Sequence, residues 1–317
     1  MRNQAKLIQW AQSNLSDPIT ATTKIADTAF SYVLKLDTHD RSYYLKQTPP
    51  KLYIEANVIK ILRAQCRVDN VPTIIAKNQD LHCFLMPSCG QETLRTLFDS
   101  DVFDFGHFHQ GLTSYIDLQK ASATQINWFL EIGVPDWRDA NLTNIYADFI
   151  NDKKRLNEWQ LNKEEQAMCQ KSLPAFKRLC TELSALDLPP VLNHSDFHTN
   201  AMLLNQRTNT INIIDLGEVT IGNPLLSLAT CLTNYLPHHH QITSNSAIYN
   251  AIQSEIKNHW HLNNKDINHL ITLLGPLHYA LAFRQLMQLC DHNFPKWRKW
   301  IKIVFLDYLY TLKQQYG

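Results

Sequence analysis

Every one of the eight glycines in this 317-residue chain stands at Gly90 or beyond, and the glycine-free stretch before it is where strand-forming residues crowd together. Phe30 to Leu36 (FSYVLKL) and Ser42 to Lys46 (SYYLK) are rich in aromatic and β-branched residues and flank Asp37-Thr38-His39-Asp40, which predicts a hairpin. After the Pro49-Pro50 break, Leu52, Ala56, Ile59 and Leu62 recur at helical spacing and predict an amphipathic helix. Two more apolar runs follow, Val71 to Ala76 and Leu81 to Met86. Strand, strand, helix, strand, strand in that order predicts an antiparallel sheet with one packed helix.

Beyond Pro87 and Gly90 the pattern turns helical. Amphipathic stretches run around Phe105 to Ser122, Lys163 to Leu183, Leu225 to Tyr235, Ser246 to His261 and His278 to Cys290. A strand-like pair interrupts them between about Ala201 and Leu216, and Gly133-Val134-Pro135-Asp136 carries a turn signal. A net charge of +1 argues against a nucleic-acid binder or a polybasic membrane anchor, which need clustered Lys and Arg. A hydrophobic fraction of 44% with 10% aromatics fills a core and argues against disorder. Apolar residues in MRNQAKLIQWAQSNLS lie at helical spacing rather than in one run, unlike a signal peptide. The seven scattered cysteines form no CxxC pair and read as small apolar thiols of a reducing, cytoplasmic compartment. The run His238-His239-His240 reads as solvated polar residues, because consecutive side chains diverge. Most of Trp128, Trp137, Trp260, Trp297 and Trp300 read as core, and the tail FPKWRKWIKIVF as a solvated helix with one packed face.

The chemistry concentrates in Leu192 to Gly217, which places a His-x-Asp on a loop, then two short strands, then Asp215 followed by Leu-Gly. Two carboxylates on either side of a hairpin can converge at one of its ends. Phosphoryl transfer needs such a pair, one to orient the attacking hydroxyl and one to hold magnesium on the nucleotide phosphates. Lys46 on the third element and Glu55 on the following helix supply an ammonium fixed by a carboxylate, a point charge for phosphate oxygens.

With His194, Ser195, Asp196, Phe197 and His198 in one motif, and Ile214-Asp215 then Gly222-Asn223-Pro224 in a second, the sequence resembles the aminoglycoside phosphotransferase and choline kinase family. Phe84-Leu85-Met86 and Gly133 to Arg138 extend the likeness over nearly the whole chain. The resemblance implies an α+β, protein-kinase-like two-lobed fold: a small antiparallel N-terminal lobe over residues 1–87 and a larger, mainly helical lobe over 88–317. It implies that Asp196 positions and activates an acceptor hydroxyl, that His194 braces the loop, and that His198 touches substrate or packs. It also implies that Asp215 ligates Mg2+, and that Lys46, partnered by Glu55, contacts the phosphates of ATP. Pro87 has no N–H, leaving Met86 or Ser88 to meet an adenine edge.

Two departures stand out. The family's loop asparagine falls on Ala201, so either Asn200 reaches the metal through a shifted loop or a water takes the position. The loop Lys24 to Ser31 (KIADTAFS) lacks a glycine, leaving the hydroxyls of Thr28 and Ser31 as phosphate donors. Asn223 and Ser227 also stand where many members have Asp. The expectation is an ATP- and Mg2+-dependent kinase acting on a hydroxyl of an aminoglycoside, amino alcohol, sugar or amino acid. The alternatives are an inactive kinase-fold binding module, or transfer of another part of the nucleotide to a protein.

Overall fold

Large apolar side chains alternate with polar ones in YVLKLD and again in SYYLKQ, so each segment buries one face as a strand. In the computed structural model, which describes residues 3–100, 102–292 and 294–317, these become β2 (Tyr32–Asp37) and β3 (Ser42–Gln47), joined as the predicted antiparallel hairpin with Asp37 opposite Ser42. With β1 (Ala21–Asp27), β4 (Ala76–Asn78) and β5 (Cys83–Pro87) they form a five-stranded sheet in the order β1-β2-β3-β5-β4. Every pairing in it is antiparallel. The run from Val71 was expected as strand, yet only its last residue, Ala76, enters β4. Pro72 lacks the donor that a ladder position requires.

The chain divides into two compact units. The first comprises Met1–Asp101, Gly106–Gly133 and Thr199–Glu218, and the second Val102–Phe105, Val134–His198 and Val219–Gly317. In the first, one face of the sheet presents Tyr32, Leu34, Leu36, Tyr43, Leu45, Cys83 and Leu85 to Leu7 and Ala11 of the helix Gln4–Gln12. Asn3 caps that helix by accepting the Lys6 amide at 3.1 Å. Lys46 alternates with Leu45 and therefore belongs to the other face. A turn of 3-10 helix at Pro50–Ile54 leads into the helix Glu55–Ala64, whose Ala56, Val58, Ile59, Ile61 and Leu62 are buried. The late strand pair, Met202–Asn205 with Thr210–Ile213, is joined by Glu92–Thr93 in a three-stranded sheet.

In the second unit a small sheet places Val219–Gly222 between Asp136–Trp137 and Val191–His194. Helices make up the rest. The stretch expected as one helix over Lys163 to Leu183 is two, Lys163–Lys171 and Leu173–Ser184, because Pro174 starts a new first turn. The helix Asn268–Cys290 begins ten residues before its expected start at His278. Thirteen of its residues are buried, so it lacks the one-sided stripe that reveals a helix in sequence. A Cβ at Gly275 in that helix would run into the Ala229 carbonyl and the Thr233 hydroxyl, so glycine permits the close crossing. The tail helix Arg298–Tyr316 buries Ile301, Val304, Phe305, Tyr308, Leu309 and Leu312 along one face. None of the seven cysteines is in a disulfide. Among the described residues no helix is long and apolar enough to cross a membrane.

His278 is fully buried in the long helix, with its ring edge-on to Trp137 at 5.8 Å. Its Nδ1 lies 2.7 Å from the Thr230 hydroxyl, and that hydroxyl donates to backbone carbonyls at 3.1 and 3.2 Å. The imidazole Nδ1–H is thus the donor, and Nε2 is buried without a partner. Burial, reinforced by His194, pushes the His278 pKa down to about 3. An unfolded chain takes up this proton near pH 6.5 while the folded one refuses it, so stability falls as pH drops from 6.5 toward 3. The expected slope from this residue is about 1.4 kcal/mol per pH unit. His278→Phe removes that slope, and urea unfolding of both proteins at pH 7, 6, 5 and 4 measures it; parallel pH profiles would contradict the assignment.

Candidate active site

A lysine ammonium buried in a sheet needs a carboxylate, and here two converge on it. Lys46 Nζ donates to Glu55 Oε1 at 2.9 Å and lies 2.7 Å from Glu55 Oε2; it donates to Asp215 Oδ1 at 2.7 Å. Lys46 comes from β3, Glu55 from the first turn of the next helix, and Asp215 from the turn after Thr210–Ile213, 169 residues from the lysine. Asp215 adopts a left-handed backbone, φ +63, a conformation that Asp tolerates better than most residues. At Gly217 a Cβ would stand 3.3 Å from Glu55 Oε2, so a glycine lets this turn lie against the helix. The Leu216 amide adds a hydrogen bond to Glu55.

Burial opposes the charge on Lys46, but the Asp215 and Glu55 carboxylates outweigh it and hold the ammonium above the usual lysine range. Glu55 shifts upward, since its burial exceeds the pull of Lys46 and the Asp215 charge adds to it. Burial is the larger cause, and the second carboxylate on the same ammonium adds to it. The Asp215 side chain is 59% exposed, the Glu55 side chain only 3%.

Other sequence-predicted residues of this unit have prior engagements. The Ser88 amide donates to the Ser42 carbonyl at 2.9 Å, and Met86 sits opposite Tyr44 in the same ladder. Ser31 is buried, with its amide donating to Thr28 Oγ1 at 3.0 Å and its hydroxyl 3.3 Å from the same atom. A cavity of about 770 Å³ is lined by Lys35, Tyr44, Pro87, Ser88, Gly90 and Gln91 among others. Alternation along β3 puts Tyr44 on the Lys46 face of the sheet. Asn200 is exposed and its Oδ1 accepts from Thr93 Oγ1 at 3.2 Å, whereas Ala201 is buried and its carbonyl accepts the Ile214 amide at 3.0 Å. Among the described residues no three His, Cys, Asp or Glu side chains form a metal-holding group.

The second unit carries the other constellation. His194 ends the strand Val191–His194, is buried, and accepts the Asp196 amide on Nδ1 at 3.1 Å. His198 Nε2 lies 3.3 Å from Asp196 Oδ2. Crowding by protein opposes ionisation of Asp196, but the His198 charge, hydrogen bonds from His198 and Tyr235, and His194 hold the carboxyl well below the usual range. Tyr235, which the sequence did not nominate, donates its hydroxyl to Asp196 Oδ1. It ends a π-helical turn, Cys231–Tyr235. No motif marks it; the only signal was an aromatic at the end of an apolar stretch.

Two sequence readings are corrected around Tyr235. His239 stacks on the Tyr235 ring at 6.0 Å and 10°, and His238 packs against Trp300 at 4.9 Å, so these histidines are ring partners rather than merely solvated. Trp128, Trp297 and Trp300 are 39% or more exposed, leaving Trp137 and Trp260 as the core members of the five. Asn223 and Ser227 join a neutral network. Asn193, fully buried, donates to the Asn223 carbonyl at 3.1 Å and accepts the Ser227 hydroxyl at 2.7 Å.

Comparison with known proteins gives the family and the fold. The model of the phosphotransferase enzyme family, APH, matches residues 22–257, and the chain belongs to that family. Searching the curated proteins finds no match. Among solved structures, the fold is similar to APH(2″)-IIIa in complex with GDP and kanamycin, at 14% identity and a TM-score of 0.62, over 99% of both chains. A thermostable mutant of aminoglycoside phosphotransferase APH(4)-Ia, in ternary complex with AMP-PNP and hygromycin B, aligns at 18% identity and a TM-score of 0.60, over 92% of this chain and 94% of that one. An ethanolamine kinase from Plasmodium vivax aligns at 12% identity and a TM-score of 0.59, over 98% and 89%. The kinase-like α+β fold is therefore the fold of this chain.

Removing the Lys46 charge tests the buried cluster. Lys46→Met leaves Glu55 buried without its partner and is expected to lower stability by about 3–5 kcal/mol at pH 8. Because burial already raises the Glu55 pKa, the carboxyl takes up a proton as pH falls and the loss shrinks toward pH 5. Adding Glu55→Gln restores most of it. Urea unfolding at both pH values measures this, and a loss that grows on acidification would contradict it.

Proposed function

We propose that this phosphotransferase moves the γ-phosphoryl group of ATP to a hydroxyl of a small molecule, with Mg2+, and does so as an active enzyme. The observation that carries the reading is the Lys46 ammonium fixed between Glu55 and Asp215. An ammonium so held acts as a stationary point charge for phosphate oxygens. The donor set fits a hard divalent cation: Asp215 offers an exposed oxygen-donor carboxylate beside the buried Lys46 and Glu55 pair. Mg2+ is held in such sites by one or two carboxylates, substrate phosphates and water, so Ala201 need not abolish binding. When bound, the ion would neutralise charge developing on the transferred phosphoryl oxygens. Asp215 is the ligand we assign to it, with Asn200 as a candidate second donor.

Asp196 would receive the acceptor hydroxyl. Its carboxyl stays ionised, so it orients the hydroxyl and takes the proton late, as suits a loose phosphoryl-transfer transition state. His194 would hold the loop through the Asp196 amide, and His198 would fix Oδ2. The aminoglycosides and the nucleotides in the complexes of similar fold make a nucleotide and a hydroxyl-bearing small molecule the natural candidates here. The Tyr44, Ser88 and Gln91 cavity is the expected seat of the base. A cytoplasmic location is consistent with seven free thiols.

Thermal-shift titration with ATP, with and without Mg2+, and a coupled assay over a panel of aminoglycosides, amino alcohols, sugars and amino acids test the reading. Asp196→Asn is expected to lower turnover about 10²- to 10⁴-fold with nucleotide stabilisation retained. Asp215→Asn is expected to remove the Mg2+-dependent part of that stabilisation. Stabilisation that ignores Mg2+, with no product from any acceptor, would instead mark a binding module.

A further inference from the structure

The Asp196 side chain is 52% exposed, so water alone would satisfy its two oxygens. Yet both meet protein groups, the Tyr235 hydroxyl on Oδ1 and His198 Nε2 on Oδ2 at 3.3 Å. The phenol is held in place from several directions. Its ring lies 4.4 Å from that of His198, 6.0 Å from that of His239, and 5.9 Å from Tyr279, edge-on at 77°. It reaches Asp196 across 39 residues, from a π-helical turn, a feature frequent at functional sites. An O–H aimed at a carboxylate oxygen is also what an acceptor alcohol presents to that oxygen before transfer.

We propose that Tyr235 is a specificity-determining residue that keeps Asp196 Oδ1 from water, so that only an alcohol bound well enough to displace the phenol is presented to the carboxylate. This rests on the reading of Asp196 as the acceptor's proton-accepting group. In transfer to an alcohol, the bond from its oxygen to the γ-phosphorus forms as the bond to the bridging oxygen of ADP breaks, and the hydroxyl proton passes to Asp196. With water in the same seat, those bond changes yield ADP and inorganic phosphate. Water is always present and makes no contact beyond its own oxygen. An alcohol draws on contacts of the rest of its body to offset the loss of the Tyr235 hydrogen bond. The phenol therefore discriminates by what the acceptor carries besides its hydroxyl.

The test is Mg2+-dependent ATP hydrolysis without any acceptor, in the full chain, for the wild type, Tyr235→Phe, Asp196→Asn and the double variant. Phenylalanine keeps the ring between His198, His239 and Tyr279, and an unchanged melting temperature checks that the fold is intact. Tyr235→Phe is expected to raise hydrolysis by about tenfold or more, the worth of one hydrogen bond to a charged group, with KM for ATP unchanged. Adding Asp196→Asn is expected to remove the rise. Hydrolysis in Tyr235→Phe at or below the wild-type level would overturn the inference; if Asp196→Asn still lowers it, the phosphotransferase reading stands. A phosphoryl group found on Tyr235 by mass spectrometry of the wild type would also overturn it, since the phenol would then be an acceptor. Absence of hydrolysis in every variant, with no stabilisation by Mg2+ and ATP, would remove both readings.

Discussion

One ammonium between two carboxylates ties the first unit together. Lys46 and Glu55 come from a strand and the helix that follows it, Asp215 from a turn 169 residues beyond the lysine, and their ion pairs fix the turn after Thr210–Ile213 against the helix Glu55–Ala64. A buried cluster of this kind is poor evidence of stability by itself, because desolvation of each ion offsets its attraction. Its value lies in what it forbids. With Glu55 buried, the lysine cannot leave without stranding a carboxylate, and a Cβ at Gly217 would press on Glu55 Oε2 at 3.3 Å. The pairing of the Lys46 ammonium with both carboxylates is then a built-in feature of the fold, and it leaves the Asp215 side chain 59% exposed beside the lysine.

What the sequence made legible was whatever depends on neighbours along the chain. Alternation gave β2 and β3, spacing gave the helix carrying Glu55, and short motifs around Asp196 and Asp215 gave the family to which the chain belongs. What stayed hidden depends on hydrogen bonds that only the assembled fold defines. That Ser88 spends its amide on Ser42 follows from the register of β3 on β5, which residue types do not encode. Thr28 and Ser31 look like free hydroxyls in sequence but satisfy each other inside their turn. Tyr235 was out of reach for a different reason: its place on Asp196 requires a π-helical turn, which shifts the end of an apolar helix by one residue and leaves no compositional trace.

The second unit holds Asn223 and Ser227 in neutral polar contacts. Asn223 and Ser227 meet through the buried amide of Asn193, so each has a hydrogen-bond partner without any ion being desolvated. His278 is likewise kept neutral by burial.

That contrast bears on how the proposed reaction is divided. The first unit gathers excess negative charge around a lysine, which suits the metal-borne phosphates of a nucleotide. The second holds a single carboxyl ionised with imidazoles and a phenol, which makes Asp196 a weak base. A weak base contributes little by pulling a proton early and much by fixing where a hydroxyl points. A site that works by positioning is also one that any small hydroxylic molecule can misuse, water first among them. The hydrogen bond from Tyr235 is the arrangement such a site needs, because it is surrendered only to a partner that brings binding energy of its own.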